Sequence, residues 1–468
     1  MGNATTASVT GVQVAPAKSA IRDLPIAKVW AFAVGQFGWA LLSGIISNWL
    51  VYFYQPDQET ISQGQTVFVP QGLVVLGIVT VVGGITAFAR FFDAFVDPAV
   101  ASLSDRCDAK SGRRMPFLKF AALPLAVVTV LVFWSPINGT SWVNAAFLFV
   151  TVIGYYIALT FYCTPYNALI AELGHDSKQQ LTISFTWVAG TAIAYVAPVI
   201  WGAFVPMMGR ITAIRVTFTI MAAVAFVCML VPPLAIREKD YVNSHPTSES
   251  TIESLKQTFG DGEFRKFVCS DVVYWVAITT FQTGLPFFVT SLLKLPETTT
   301  TIYFVLMTGV SVLFYLPVNI LANKVGKKRL LLVAFVIFTC AFAFAGALGS
   351  AVLGFIPAMA QGLVLSVVGA IPMAAFGILP QAIVANIADA SSKTTGQDRQ
   401  GMFYAARTFA MKMGQSVAML LFTGVSTIGM ASGAGYRIAA VCAAVLCGLG
   451  GIVFAFYNEK KVLGVLET

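Results

Sequence analysis

The sequence predicts an all-α membrane protein of twelve transmembrane helices arranged as two related halves. Three observations predict it. The first is charge poverty: of 468 residues, 57% are hydrophobic and only 11% charged, and mean hydropathy is +0.80. Soluble domains carry about 25% charged residues, so this chain cannot cover a water-facing surface, and a disordered chain is excluded on the same ground. The second is the length of the apolar stretches, about twenty residues or more, which suits helices crossing a hydrocarbon layer of about 30 Å. Barrel strands are near ten residues long with polar alternation. The third is a long polar interruption at 237–265, rich in Ser, Thr, Glu and Lys, with six apolar spans on each side of it.

The spans run over about 28–54, 69–103, 117–135, 142–171, 181–204, 214–236, 266–290, 299–322, 329–350, 354–386, 401–427 and 434–457. The second, fourth and tenth exceed what a bilayer needs, so they tilt or project beyond it. Glycine and proline inside them are tolerated because neighbouring helices re-satisfy the backbone. The division expected is a tail (1–27), an N-terminal six-helix bundle (28–236), a linker (237–265), a C-terminal bundle (266–457) and a second tail (458–468).

The loops give the orientation. Of 29 Lys and Arg, 22 fall in the two tails, the linker and the loops on the same side of the membrane, whereas the opposite loops hold at most Arg210, Lys294 and Arg437. Positive loops face the cytoplasm, so both termini are expected there, in a multi-pass protein of the cell (inner or plasma) membrane. No cleavable signal is expected; the first helix serves to insert the chain. The net charge of +8 reports topology, and no nucleic-acid partner is expected. Seven scattered Cys, without a CxxC pair, read as packing residues, and two His are too few for a histidine metal site. There is no P-loop, nucleophile elbow or HExxH. The chain is therefore not expected to be an enzyme, to bind a cofactor or to use ATP. Two halves related by an internal repeat instead suit alternating access.

Charges inside apolar spans mark the candidate site. Asp93 and Asp97 lie four apart in the second span, on one helix face and one turn apart. In hydrocarbon they require a cation, a shared proton or a basic neighbour, which is what coupling to H⁺ or Na⁺ demands. Lys412, inside the eleventh span, needs a counter-ion, and the aspartates are the candidates. The fourth span is dense in polar and aromatic residues, among them Tyr156, Thr160, Cys163, Thr164 and Asn167. With Gln36, Trp39 and Asn48 of the first span, Trp187 of the fifth, and Tyr274 and Gln282 of the seventh, they form candidate walls for a polar solute, and Lys412 is a further candidate there. At the helix ends, Asp105, Arg106, Arg113 and Arg114 could pair with Glu172 and Asp389 to gate the cytoplasmic mouth. The Gly112-Arg113-Arg114 turn recurs as Gly326-Lys327-Lys328 at the same ordinal place in the second half.

The stretch Asp93-Ala-Phe-Val-Asp97-Pro98, the loop Ser104-Asp105-Arg106 with Ser111-Gly112-Arg113-Arg114-Met115-Pro116, the segment Thr164-Pro165-Tyr166-Asn167-Ala168-Leu169 and the pieces Ile387-Ala388-Asp389 and Lys412 resemble the glycoside–pentoside–hexuronide:cation symporter family of the major facilitator superfamily, over nearly the whole chain. The resemblance implies the major facilitator fold of two pseudo-symmetric six-helix bundles and symport of a sugar-like solute with Na⁺, Li⁺ or H⁺. It implies that Asp93, Asp97, Thr160 and Lys412 form the cation-coupling site, with Asp93 and Asp97 as metal ligands if the ion is Na⁺, and that the protein works as a monomer whose partners are a carbohydrate solute, a monovalent cation and the lipid bilayer. The departures are specific. Where the melibiose permease has an amide between the acids this chain has Val96, and its sugar-binding acids and arginine are replaced by Ala40, Cys163 and Thr186. Melibiose is therefore not the expected solute, and H⁺ gains ground as the ion. Two other readings compete: transport of an amphipathic solute such as a lysophospholipid, and a receptor or scaffold that keeps the fold without coupling.

Overall fold

The computed structural model describes residues 24–62, 64–73, 79–107, 109, 111–173, 190, 194, 197–241, 258–395, 400–429 and 432–467. Among these there is no strand, Ala109 and Gly112 form an isolated bridge, and eleven long helices carry the fold. They are α1 (Ile26–Tyr54), α2 (Val81–Asp105), α3 (Met115–Val132), α4 (Trp142–Leu173), α5 (Arg210–Ala235), α6 (Gly262–Phe287, continued by a π turn Phe288–Leu292), α7 (Glu297–Val325), α8 (Lys327–Ala347), α9 (Ala358–Thr395), α10 (Gln400–Val425) and α11 (Ala434–Ala455). Nine of the described helices are long and apolar enough to cross a membrane. The two others, α2 and α10, are of spanning length but carry the charges singled out above. The predicted span 181–204 lies mainly outside the described residues; its last part is a 3₁₀ helix, Ala197–Phe204.

The second span starts later than predicted. Residues 69–73 are loop, held by Gln71, whose amide donates to the carbonyls of Tyr54 and Val69. The helix begins at Val81 because the Thr80 hydroxyl accepts the Gly83 N–H at 3.0 Å, satisfying one of the donors a helix start leaves open. Hydropathy does not register a cap, so the described residues 69–73 and 79–80 count into the predicted apolar span.

Helix pairing repeats across the chain. In the first half α1 packs on α5, α2 on α4, and α3 on both α4 and α5; in the second, α6 packs on α11, α7 on α9, and α8 on both α9 and α11. Counting the undescribed fifth span, these are the same ordinal pairs. The halves meet where α2 packs on α10, α1 on α6, and the 3₁₀ helix on α7. Helices α1 and α6 are buried on most sides. The outer helices instead expose apolar stripes at helical spacing, such as Phe120, Leu123 and Val127 of α3 and Ile220, Val224 and Val227 of α5, as lipid-facing surfaces do.

One polar device occurs twice. After α5, the Glu238 carboxylate accepts the backbone N–H groups of Arg114 and Met115 at 2.8 and 3.2 Å. After α11, Glu459 accepts those of Lys327 and Lys328 at 3.0 and 3.2 Å. Each acid thus sits on the first turn of the helix that follows a basic loop, where the helix dipole favours an anion. The glycine before each basic pair makes room: a Cβ on Gly112 would collide with Glu238, and Gly112 and Gly326 both have positive φ. A terminal helix, Glu459–Glu467, continues from the second acid into the predicted tail. It packs on α9, where Lys393 Nζ donates to the Leu466 carbonyl at 2.8 Å.

Candidate functional site

The site forms where α2, α4 and α10 meet, midway along all three. Asp93 and Asp97 project from one face of α2, and Lys412 of α10 lies between them, its Nζ 2.6 Å from Oδ2 of each. The lysine thus bridges both acids rather than choosing one. The Thr160 hydroxyl of α4 donates to Asp93 Oδ1, and the Thr164 hydroxyl, one turn on, donates to Asp97 Oδ1 at 3.1 Å. The Asp93 side chain is 4% exposed and that of Asp97 22%, so Asp97 is the acid that water reaches. Packing permits this approach: Ser416 of α10 donates to the Ala87 carbonyl of α2 at 2.7 Å, and Gly83 of α2 lies where a Cβ would collide with Thr423 of α10. Arg90, one turn from Asp93 on α2, donates to Gln415 Oε1 and to Ser47 Oγ, and its guanidinium lies 5.4 Å from the Tyr156 ring.

Two carboxylates and one ammonium carry a net charge of −1 as fully ionised groups. One added monovalent cation, or one proton, makes the cluster neutral. Four carboxylate oxygens and two hydroxyls are hard donors that suit an alkali ion. Among the described residues no group of three His, Cys, Asp or Glu side chains gathers as a transition-metal site would require.

The other candidates are more dispersed. Tyr156 is buried against Tyr155 and beside Arg90. Cys163 is half-buried and Asn167 exposed, both on α4. Gln36 is buried and accepts the Trp39 indole N–H at 2.8 Å, a local pair within α1. Asn48 is buried and Gln282 half-buried. Tyr274 is buried in a stack on Phe376, with ring centroids 3.8 Å apart. Trp187 and the side chains of Asp105 and Glu172 lie outside the described residues. Of the remaining gate candidates, Arg106 is exposed, Arg113 and Asp389 are half-buried, and Arg114 is buried beside Glu238.

Three groups escaped the sequence reading. About 7.5 Å along α10 from Lys412, at 1.5 Å per residue, Arg407 makes a bidentate pair with Asp271 of α6 at 2.9 and 3.1 Å, both side chains buried. Asp271 was hidden near the start of its span, without a second acid to flag it. Breaking such a pair leaves an uncompensated buried charge, so Asp271→Ala should lower stability by about 3–5 kcal/mol. Thermal melts of the purified protein check this, and an Asp271→Leu/Arg407→Met double variant should recover part of the loss.

The second group is Thr164, which the sequence placed only among the candidate solute walls of the fourth span, without a tie to Asp97. The third closes the face opposite the basic loops. There Asp57, just past α1, accepts from Thr60 N–H at 2.9 Å, from Thr290 Oγ1 at 3.0 Å, and from the hydroxyls of Thr60 and Ser291. Burial pushes its carboxyl upward, but the Ser291, Thr60 and Thr290 donors outweigh that and hold it below the ordinary carboxylate range. Gln55 donates to the Thr423 carbonyl and to Ser426 Oγ. Glu297 accepts from Tyr52 at 2.8 Å and pairs with Arg210 at 2.9 Å, and Lys294 pairs with Glu59. Through these contacts residues 52–60 and 210 of the first half are tied to residues 290–297, 423 and 426 of the second.

The many apolar helices define a multi-pass membrane protein with a charged cluster at its waist, and the family it matches is one of membrane transporters, not enzymes. The chain belongs to the MFS/sugar transport protein family, whose model matches residues 31–458. It is similar to the inner membrane symporter YicJ of Escherichia coli, 26% identical over 223 residues, which are 46% of this chain and 47% of that protein. It is also similar to the uncharacterized symporter YjmB of Bacillus subtilis, 23% identical over 356 residues, 74% of this chain and 75% of that one. Across the curated relatives that it matches, the aligned stretch spans from 22% to 75% of the relative's length. The fold is that of the solved nucleoside transporter NupG, with a TM-score of 0.63, 14% identity and coverage of 92% of this chain and 100% of that one.

Proposed function

We propose that this protein is a secondary active transporter that carries a sugar-like solute, a glycoside, pentoside or hexuronide, together with one H⁺ or Na⁺. The observation that carries the reading is the cluster of Asp93, Asp97 and Lys412, with a net charge of −1 at the seam between α2 and α10. A buried net charge is costly, and one monovalent cation removes that cost. Cation binding also takes over the role of Lys412 as counter-ion, so it frees the contact that joins the halves. The family's sugar-transport description and the symporter names of its relatives support the solute class and the coupling.

The mechanism follows from these residues. The N-terminal bundle (28–236) and the C-terminal bundle (266–457), joined by the linker 237–265, rock about the site, with both termini in the cytoplasm of a cell-membrane protein. The arrangement described has its outer face closed by Asp57, Gln55 and Glu297, so it is not the outward-facing one. In the opposite state the outer contacts part, and Arg106, Arg113 and Arg114 meet Glu172, Asp389 and Asp105 at the inner mouth. Solute binds near the charged cluster, where Cys163 of α4 lies beside Lys412, Asp97 and Asp93 and Tyr156 lies against Arg90. The test is uptake into proteoliposomes across a panel of glycosides, pentosides and uronides, with and without Na⁺ and with and without a proton gradient. Accumulation of one solute class under one ion gradient is the result expected; no gradient-driven accumulation of any of them would sink the reading.

A further inference from the structure

We infer that Thr164 is the residue that makes the site competent for an alkali cation, Na⁺ or Li⁺, and not for a proton alone. The inference rests on the symport reading and names the ion within it. Asp93 and Asp97 are four residues apart on α2; Thr160 and Thr164 are four apart on α4. The two helices pack together, and the pairs match rung for rung, Thr160 donating to Asp93 and Thr164 to Asp97 at 3.1 Å. Each carboxylate has a hydroxyl of its own.

The chemistry separates the two ions. A proton needs one carboxylate oxygen and no shell. A hard metal cation needs about six oxygens. Val96, between the acids, offers none. The carboxylates supply four and Thr160 a fifth; the Thr164 hydroxyl is the sixth. A hydroxyl can donate its proton to a carboxylate while a lone pair faces the ion, so neither aspartate contact has to break when the ion enters. Thr164 serves Asp97, the more exposed acid, and so stands on the side from which a hydrated ion arrives. The Lys412 ammonium now bridges the two Oδ2 atoms, which shows that a compact cation can be shared by both acids at once. A proton does not need the second hydroxyl, whereas a metal shell is completed by it.

The experiment reads ion binding without a solute. A ligand that binds the folded state raises its melting temperature with concentration. Purified full-length protein is melted in NaCl or LiCl titrations against choline chloride at constant ionic strength, and the half-maximal concentration is taken for wild type, Thr164→Val and Thr164→Ser. Wild type should be stabilised by Na⁺ or Li⁺. Thr164→Val should raise the half-maximal concentration about tenfold, and Thr164→Ser should return it to within about twofold of wild type. Should the valine variant fail to fold, Thr164→Ala carries the same expectation. Stabilisation of Thr164→Val at wild-type ion concentrations would overturn the assignment, as would a wild type that responds to neither ion. Both results leave the symport reading standing, because a proton can still drive uptake in the solute panel. Conversely, intact Na⁺ stabilisation with no solute accumulated would sink the symport reading and leave Thr164 in place.

Discussion

Asp93→Asn and Asp97→Asn should each abolish uphill accumulation, bringing the internal-to-external solute ratio to about one, since a ligand drives a change only through its differential binding. The reason is charge. With one carboxylate made neutral, the other and Lys412 cancel, and the cluster no longer gains by taking up a cation. Exchange of solute across a membrane with equal concentrations on both sides should survive better than net uptake, because the helices can still rock. The two variants should differ in degree. In Asp93→Asn the new amide faces Thr160 in the buried part of the site, whereas in Asp97→Asn it lies at the water-accessible end, so Asp93→Asn should be the more destabilising. Concentrative uptake at wild-type rates in both variants would remove the coupling role from the pair.

The second large effect is expected at the opposite face. Asp57→Ala deletes the acceptor that gathers Thr60, Thr290 and Ser291. Hydrogen bonds to a charged group contribute about 1.5–3 kcal/mol each; a net loss of about 2–3 kcal/mol would shift the equilibrium towards the outer-open state by roughly 30- to 160-fold. With Cys163 kept as the sole cysteine, its labelling by an impermeant maleimide added from that face should rise accordingly. The pH dependence has a definite sign. The Asp57 carboxyl is held below its ordinary value by its donors, so the closure it supports is fully present above the ordinary carboxylate range and is lost as pH falls through the lowered one. Read by a pH-independent probe, such as the distance between spin labels on either side of the outer face, wild-type opening should therefore increase only below the ordinary carboxylate range, and Asp57→Ala should show no such step. Equal labelling of the variant and wild type at neutral pH would mean that Gln55 and Glu297 hold the face without Asp57.

The sequence showed the helices because apolar length is a one-dimensional property, and it marked the acids because a charge in an apolar span stands out against its neighbours. Asp93, Asp97 and Lys412 were legible on that ground. What was not legible depends on which faces meet. Thr164 is an inconspicuous hydroxyl until α4 lies against α2 in the register that aligns 160 with 93 and 164 with 97. Asp57 follows a helix end, where an acid is ordinary, and only the third dimension brings it to Thr290 and Ser291. Gln36 and Trp39 looked like two separate cavity residues, yet three residues of helix bring them into one hydrogen bond. Tyr274 shows the same limit: aromatic character is visible in a string of letters, but its stack on Phe376 is not.

The cluster's single negative charge has an electrical consequence. If a neutral sugar enters with one monovalent cation, each cycle moves one positive charge across the membrane. A potential of 100 mV, negative inside, then adds about 2.3 kcal/mol per turnover, enough by itself for a roughly fifty-fold solute gradient. If the solute is a uronate, its carboxylate cancels the charge of the ion, and the membrane potential contributes nothing. The same arrangement of Asp93, Asp97 and Lys412 would thus behave as a current source with one class of sugar and as an electrically silent carrier with the other. Whether valinomycin-imposed potentials accelerate uptake would report the charge of the solute before its structure is known.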